Sequence, residues 1–213
     1  MVLAALVIAM SAPASAQNRD QALIAAAGEG DLAAAERLIR EGASVAACDG
    51  RGRTALLAAT HANHVAVARA LIAAGADVNA KDNMGDSAFL YAGAEGRIEI
   101  LKMALPTAEL KSTNRYGGTA LIPAAHHGHV EAVRILLGTA IDKDHVNKLG
   151  WTALLEAVIL GDGGPVHTEI VRLLVEAGAN VNIVDRDGVT PLAHARRHGY
   201  GAIVRILEAR AAR

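Results

Sequence analysis

Asn114-Arg-Tyr-Gly-Gly-Thr-Ala-Leu121 is one of five related octapeptides that recur along the chain at nearly constant intervals. The other four are Asp49-Gly-Arg-Gly-Arg-Thr-Ala-Leu56, Asp82-Asn-Met-Gly-Asp-Ser-Ala-Phe89, Asn147-Lys-Leu-Gly-Trp-Thr-Ala-Leu154 and Asp185-Arg-Asp-Gly-Val-Thr-Pro-Leu192. Each has glycine as its fourth residue, and the spacings between these glycines are 33, 32, 33 and 38 residues: Gly52, Gly85, Gly117, Gly150 and Gly188. A period of roughly 20–50 residues indicates a solenoid, in which each unit buries its apolar face against its neighbours.

Each octapeptide leads into a pattern that predicts two helices joined by a turn. A hydroxyl two residues after the glycine can cap the free N–H groups of the first helix, and the residues in this position are Thr54, Ser87, Thr119, Thr152 and Thr190. The second helix of the fourth unit has one apolar face at helical spacing, formed by Val130, Val133, Leu136 and Leu137. A glycine can end a helix in the left-handed conformation, and Gly42, Gly75 and Gly178 fall just beyond second helices.

From about Asp20 to the C-terminus, these units resemble the ankyrin-repeat family, whose first helix begins with T-P-L-H-x-A. Four units have alanine where that motif has proline: Ala55, Ala88, Ala120 and Ala153. The histidine of the motif is replaced in every unit, by Leu57, Leu90, Ile122, Leu155 and Ala193. The resemblance implies an all-α ankyrin-repeat solenoid of stacked helix-turn-helix units with short β-turn fingers.

The repeat pattern predicts a single domain over residues 17–213. Six repeats are expected, at about residues 20–48, 49–81, 82–113, 114–146, 147–184 and 185–213, of which the first is atypical and the last is polar enough to cap the stack. Aromatic residues are only 2% of a chain that is 52% hydrophobic, so the core must be built from small aliphatic side chains. Such side chains suit closely packed helices better than a sandwich or a barrel.

The N-terminus predicts export. Val2 to Met10 is an unbroken apolar run, and Ala14-Ser15-Ala16 follows with the small-residue pattern of a signal-peptide cleavage site. The run is far shorter than the roughly 20 residues that cross a bilayer, so a membrane anchor is the weaker interpretation. No basic residue precedes the run, and a mis-chosen start codon or an ordinary apolar tail is therefore the alternative. We expect a signal peptide over residues 1–16 and a periplasmic or secreted protein of the exported bacterial ankyrin type.

Several functions are disfavoured by the sequence. With 21 basic and 22 acidic residues, the chain offers no global attraction for nucleic acid. No nucleophile turn with serine, histidine and aspartate is present, and Cys48, the single cysteine, has no histidine near it in the sequence. Gly161-Asp-Gly-Gly-Pro165 lacks the lysine and hydroxyl residue of a phosphate loop. We therefore expect a monomeric, non-catalytic protein without a cofactor or a membrane span in the mature chain.

A basic residue recurs at one position of the second helices, namely Arg69, Lys102, Arg134, Arg172 and Arg205. This column could bind an extended anion. However, three of the bases follow a glutamate at helical spacing, at Glu99, Glu131 and Glu169. The sequence therefore favours pairwise neutralisation on a solvated face.

The family resemblance implies that a partner protein contacts the concave side, through the finger tips and the first helices. In repeats four and five those positions include Arg115, Tyr116, His126, His127, Leu149, Trp151, Ile159 and Leu160. An exposed apolar cluster with aromatic anchors is typical of an interface hot spot. Trp151 is expected to project from a finger tip as the anchor, and the alternative is that Trp151 and Ile159 cover the groove between repeats.

Histidines of repeats four and five provide a second hypothesis, a metal- or small-molecule-binding protein that uses His126, His127, Glu156 and His167. His126, His127 and His129 alone do not predict a metal site, because no cysteine or carboxylate completes a ligand set nearby in the sequence. The resemblance instead assigns His129 and His64 to the family's Gly-His turn. The extra residues of repeat five fall in the segment Gly161–His167, whose glycines and Pro165 are expected to form a loop that bulges between the two helices, as a contact loop or a tolerated insertion.

Overall fold

The computed structural model describes the backbone of residues 12–211 and the side chains of residues 16–210. Its α-helices follow in pairs, separated by turns, fingers and a short 3₁₀ helix at Leu105–Thr107. They are α1 (Ala12–Glu29) and α2 (Leu32–Arg40), α3 (Ala55–His61) and α4 (Val65–Ala73), α5 (Ala88–Ala94) and α6 (Ile98–Ala104), α7 (Leu121–His126) and α8 (Val130–Leu137), α9 (Ala153–Ile159) and α10 (Pro165–Glu176), and α11 (Pro191–Arg197) and α12 (Gly201–Ala211). The predicted all-α solenoid is confirmed. Within the described residues, Cys48 and Thr54 form an isolated antiparallel β-bridge.

Only the last residues of the predicted signal peptide lie within the described part of the chain. Residues 1–11 lie outside the described part of the chain, and the backbone of residues 12–16 forms the beginning of α1. Among the side chains described in this helix, from residue 16 on, the first buried one is Leu23. Export and cleavage stay predictions.

The core runs along the stack and is made of small aliphatic side chains. In α8, Ala132, Val133 and Leu136 are completely buried, and Val130 and Leu137 pack half-buried against them. The predicted apolar face of α8 therefore points into the interior. A larger share of the first helix of repeat five is buried, since every residue of α9 from Ala153 to Val158 is buried.

Four of the five predicted hydroxyl caps are confirmed. Thr54, Ser87, Thr152 and Thr190 each accept, through the side-chain oxygen, a bond of 3.2 Å from the N–H three residues on. Beyond these caps, Gly42, Gly75 and Gly178 have φ of 84°, 87° and 86°, which confirms that left-handed residues end the second helices.

The predicted cap at Thr119 is wrong. In the other four repeats, the backbone oxygen of the capping residue accepts the N–H four residues on. That fourth residue here is Pro123, which has no N–H. The Thr119 backbone oxygen instead accepts from Ile122 at 3.2 Å, so the Ile122 N–H does not reach the hydroxyl. The Thr119 hydroxyl is left buried without a partner, and the helix begins only at Leu121.

Two further expectations concern the outer side of the stack. The insertion of repeat five was expected to leave Pro165 in the loop, but Pro165 is the first residue of α10, where its missing N–H is not needed. The predicted pairing of second-helix bases is confirmed by Lys102 with Glu99 at 3.5 Å, by Arg134 with Glu131 at 3.6 Å, and by Arg172 with Glu169.

Candidate functional site

Repeats three, four and five form a concave groove of about 450 Å³. Fingers form one wall, and the exposed sides of α5, α7 and α9 form the floor. Six predicted contact residues line it: Arg115, Tyr116, His126, His127, Leu149 and Leu160. Repeat three adds Asp86, Tyr91 and Glu95 to the lining.

The rim of the concave groove is apolar and exposed to solvent. Tyr116 is 51% exposed, Leu149 is 45% exposed and Leu160 is 42% exposed, although each is large enough to fill a core position. The Arg115 guanidinium lies 4.7 Å from the centre of the Tyr116 ring, within the range of a cation–π contact. These four residues present apolar area and one charge to a molecule that enters the groove.

The other two predicted contact residues lie elsewhere. Trp151 and Ile159 are half-buried, and neither lines the concave groove. The exposed tips of the two fingers are Tyr116 and Leu149, one residue before the glycine of the turn. Trp151 stands one residue after Gly150, where the chain already returns towards α9.

Asn147 fixes the finger that carries Leu149. Its side-chain oxygen accepts the N–H groups of Leu149 at 2.9 Å and of Trp151 at 3.0 Å. Neighbouring fingers are also joined through the backbone, because the Lys148 N–H donates to the Tyr116 oxygen at 2.9 Å. The apolar rim is therefore carried by a hydrogen-bonded frame and not by free loops.

A carboxyl group lies at the floor of the concave groove. Glu156 is only 6% exposed, and it accepts a 2.8 Å bond from the Asn147 amide nitrogen. Burial raises the pKa of Glu156, and the Asn147 bond and the charge of His127 only partly oppose this. His126 Nδ1 lies 3.8 Å away, but burial lowers the pKa of His126, so this histidine is neutral near pH 7 and supplies no countercharge.

The alternative set of His126, His127, Glu156 and His167 does not converge on one ligand. His167 holds the insertion in place instead: its Nε2 bonds the His126 backbone oxygen at 3.0 Å, and its Nδ1 lies 2.9 Å from an Asp162 carboxylate oxygen. Both ring nitrogens are thus committed within the protein.

A different histidine cluster does form, between repeats three and four. One potential ligand atom from each of Glu95, His127 and His129 lies within 4.8 Å of the other two. This cluster was not predicted from sequence spacing, because Glu95 stands at the end of α5, in the repeat before that of His127 and His129. The signal was available in the repeat alignment, where Glu95 and His127 occupy the same position in successive units.

The helix pairs, the linked fingers and the concave groove define a repeat solenoid that offers a binding surface. A family model for ankyrin repeats matches residues 3–82, 23–114, 89–185 and 139–212, and the chain belongs to the ankyrin-repeat family. It is 36% identical over 195 residues to the putative ankyrin repeat protein YahD of Escherichia coli K12, an alignment that covers 91% of this chain and 97% of that protein.

Solved structures agree with the family assignment. An ankyrin repeat domain from Acinetobacter baumannii is 53% identical with a TM-score of 0.86, over 89% of this chain and 97% of that one. The ankyrin repeat domain of Bcl-3, a member of the IκB protein family, is 30% identical with a TM-score of 0.79, over 89% and 85%. Among the helices that the structure describes, none is both long and apolar enough to cross a lipid bilayer.

Proposed function

We propose that this protein is a non-catalytic, monomeric scaffold that binds a partner protein in the concave groove of repeats three to five. Ankyrin repeats typically bind other proteins, and that coarse function follows from the family. The proposal that the partner binds in this groove rests on the exposed apolar rim of Tyr116, Leu149 and Leu160 around a polar floor.

The composition of the groove supports a protein partner. Interfaces place aromatic and arginine anchors at an apolar centre and surround them with polar groups. Tyr116 with Arg115 supplies the anchors, and His126, His127 and Glu156 supply the polar groups. A rim held by the Asn147 frame loses little conformational entropy on binding, which favours affinity.

A matched pair of double variants tests the proposal. Leu149→Ala with Leu160→Ala removes two exposed leucines from the groove, whereas Val146→Ala with Val184→Ala removes two valines of similar exposure that do not line it. Each immobilised protein is used to capture partners from extract of the native host, and capture is quantified by mass spectrometry. Binding of the purified main partner is then measured by calorimetry.

We expect the leucine variant to lose affinity by at least about tenfold, because each truncation removes apolar contact area, and the valine variant to bind as the wild type does. Equal affinity of the two double variants, or a loss confined to the valine variant, would place the contact surface outside the concave groove.

We further propose that the scaffold acts outside the cytoplasm as an adaptor, a chaperone-like partner or an inhibitor-type binder. The apolar run from Val2 to Met10 and the Ala14-Ser15-Ala16 pattern support export. Cleavage after Ala16 would also leave every buried side chain known in α1, from Leu23 onward, within the mature protein.

A further inference from the structure

Three histidines occupy one position of the repeat, five residues before the basic residue of the second helix: His64, His129 and His167. His64 and His129 stand directly before their helices, whereas His167 lies in the first turn of α10. Two of them make the same bond across a repeat junction. His64 Nε2 bonds the Gly28 backbone oxygen at 3.1 Å, and His167 Nε2 bonds the His126 backbone oxygen at 3.0 Å. Gly28 and His126 are equivalent residues, since each stands two residues before the turn glycine of its repeat.

His129 departs from this arrangement. The equivalent oxygen belongs to Ala94, and it accepts from His127 Nδ1 at 2.8 Å instead. The His129 ring still packs over Gly96, as the His64 ring packs over Gly30. Within the described part of the chain, however, the His129 ring makes no hydrogen bond. His129 therefore has the same ring position as His64 but lacks the bond to the preceding repeat's backbone oxygen that His64 and His167 make.

One ring nitrogen of His129 instead lies within 4.8 Å of a potential ligand atom of both Glu95 and His127. Glu95 Oε1 lies 3.6 Å from His127 Nδ1, and the two imidazole rings stand edge to face with centres 6.0 Å apart. Because a carbonyl oxygen only accepts, His127 carries its proton on Nδ1 and keeps the Nε2 lone pair free. A backbone bond of this kind commonly orients a histidine that ligates a metal.

We propose that Glu95, His127 and His129 form a Zn²⁺-binding site across the junction of repeats three and four. Two imidazoles and one carboxylate are a ligand set that zinc accepts, with a fourth position left for water or a ligand. Ligand atoms of a tetrahedral zinc site lie roughly 3.3 Å apart, so side-chain rotations close the present separations of up to 4.8 Å. The three side chains are exposed or half-buried. Zinc held here lies beside the concave groove, whose lining includes Glu95 and His127.

The junction of repeats one and two provides an internal control. It has Glu29 and His64 at the positions of Glu95 and His129, but Ala62 at the position of His127. His127→Ala therefore recreates an arrangement that the protein already folds with. His198 occupies the position of His127 in repeat six and is exposed, so His198→Ala removes an equivalent imidazole away from the cluster.

Calorimetric titration with ZnCl₂ at pH 7.5, on the full chain without a histidine tag and after removal of metal by a chelator, tests the site. We expect one Zn²⁺ per chain for the wild type and for His198→Ala. His127→Ala, His129→Ala and Glu95→Gln should each weaken binding by at least about tenfold, since each removes one ligand of a small set. Co²⁺ should give visible absorption bands of a four-coordinate site in the wild type and in His198→Ala, and not in the three ligand variants.

Saturable one-to-one binding that survives in His127→Ala, or that is lost equally in His198→Ala, would overturn the proposal, as would the absence of saturable binding to the wild type. Unfolding curves are recorded for all variants. If His129→Ala fails to fold, His127→Ala and Glu95→Gln still decide the outcome, because both side chains are at the surface.

Discussion

The interior face of α8 and the rim of the concave groove are built from the same repeats in different ways. Ala132, Val133 and Leu136 lie within one helix at helical spacing, and each is completely buried. Tyr116 and Leu160 come from different repeats, and both are exposed. The interior therefore repeats with the period of the solenoid, whereas the groove depends on residues that differ from one repeat to the next. Substitutions in the two regions should separate stability from binding.

The largest effect is expected in the interior. Leu136→Ala removes a side chain with no exposed area and leaves a cavity between packed repeats, so the free energy of unfolding should fall by roughly 2–5 kcal/mol. Val146→Ala truncates an apolar side chain that is 47% exposed and serves as its control. Urea unfolding followed by circular dichroism measures both. Equal midpoints for the two variants would show that α8 is not held by its neighbours.

The next effect concerns the finger residues of repeats four and five. Tyr116→Ala should weaken partner binding by about thirtyfold, the loss of about 2 kcal/mol that is common for an aromatic hot spot. The sequence predicts the same loss for Trp151→Ala, which requires the partner to contact Trp151 outside the concave groove. Tyr116→Ala should leave stability within about 1 kcal/mol, because Tyr116 is exposed. Trp151 is half-buried, so Trp151→Ala should also lower the unfolding midpoint. Calorimetry with the purified partner measures the affinity.

Arg134→Ala, on the second helix of repeat four, is the control for these two variants, because its charge is paired with Glu131 and Glu169 away from the groove. It should bind as the wild type does. Full binding by Trp151→Ala together with a lower midpoint would assign Trp151 to packing and remove it from the contact site.

The same contrast explains what the sequence could predict. The glycine spacing, the apolar face of α8 and four of the five hydroxyl caps follow from local rules that repeat in every unit, and all were predicted correctly. The cap predicted at Thr119 was wrong because Pro123, one turn later, has no N–H to bond the Thr119 backbone oxygen, which accepts from Ile122 instead. Pro165 was assigned to a loop, although the first position of a helix tolerates proline.

The candidate sites were harder to predict because their residues meet only across repeat junctions. Tyr116 and Leu160 were proposed from their positions in single repeats, which was enough to place them on the groove. Glu95 was missed because sequence proximity was used to complete the histidine ligand set. An alignment of the repeats identifies such contacts, since residues of successive units that share a position stack beside one another.

A smaller effect is expected from the buried carboxyl group under the groove. Burial raises the pKa of Glu156 above its ordinary value, so the folded protein binds this proton more tightly than the unfolded chain does. The contribution of Glu156 to stability is therefore greatest at low pH and is lost as pH rises through the folded-state pKa. Glu156→Gln keeps an acceptor for the Asn147 amide and removes the titration.

We expect Glu156→Gln to be more stable than the wild type near pH 7 and to lose that advantage as pH falls towards the ordinary glutamate range. Urea midpoints of both proteins, measured between pH 4 and pH 8, provide the test. Glu99→Gln is the control, because Glu99 is exposed on the second helix of repeat three and faces Lys102. A midpoint difference for Glu156→Gln that does not vary with pH would show that ionisation of Glu156 is not the cause.

The smallest effect is expected from removal of residues 1–16, because the buried side chains described in α1 begin at Leu23. Two bonds tie the start of the remaining helix to the end of repeat one: Arg19 donates to the Glu41 backbone oxygen at 2.7 Å, and Asp20 accepts the Ser44 N–H at 2.7 Å. Both residues lie after Ala16, so cleavage there keeps these bonds and the buried Leu23.

Intact-mass measurement of protein from the native host should give a chain that starts at Gln17. Recombinant protein starting at Gln17 should unfold within about 0.5 kcal/mol of the full chain, as is usual for changes away from packed features. A full-length chain starting at Met1 in the cytoplasm would contradict export, and a large loss of stability on removing residues 1–16 would contradict the boundary after Ala16.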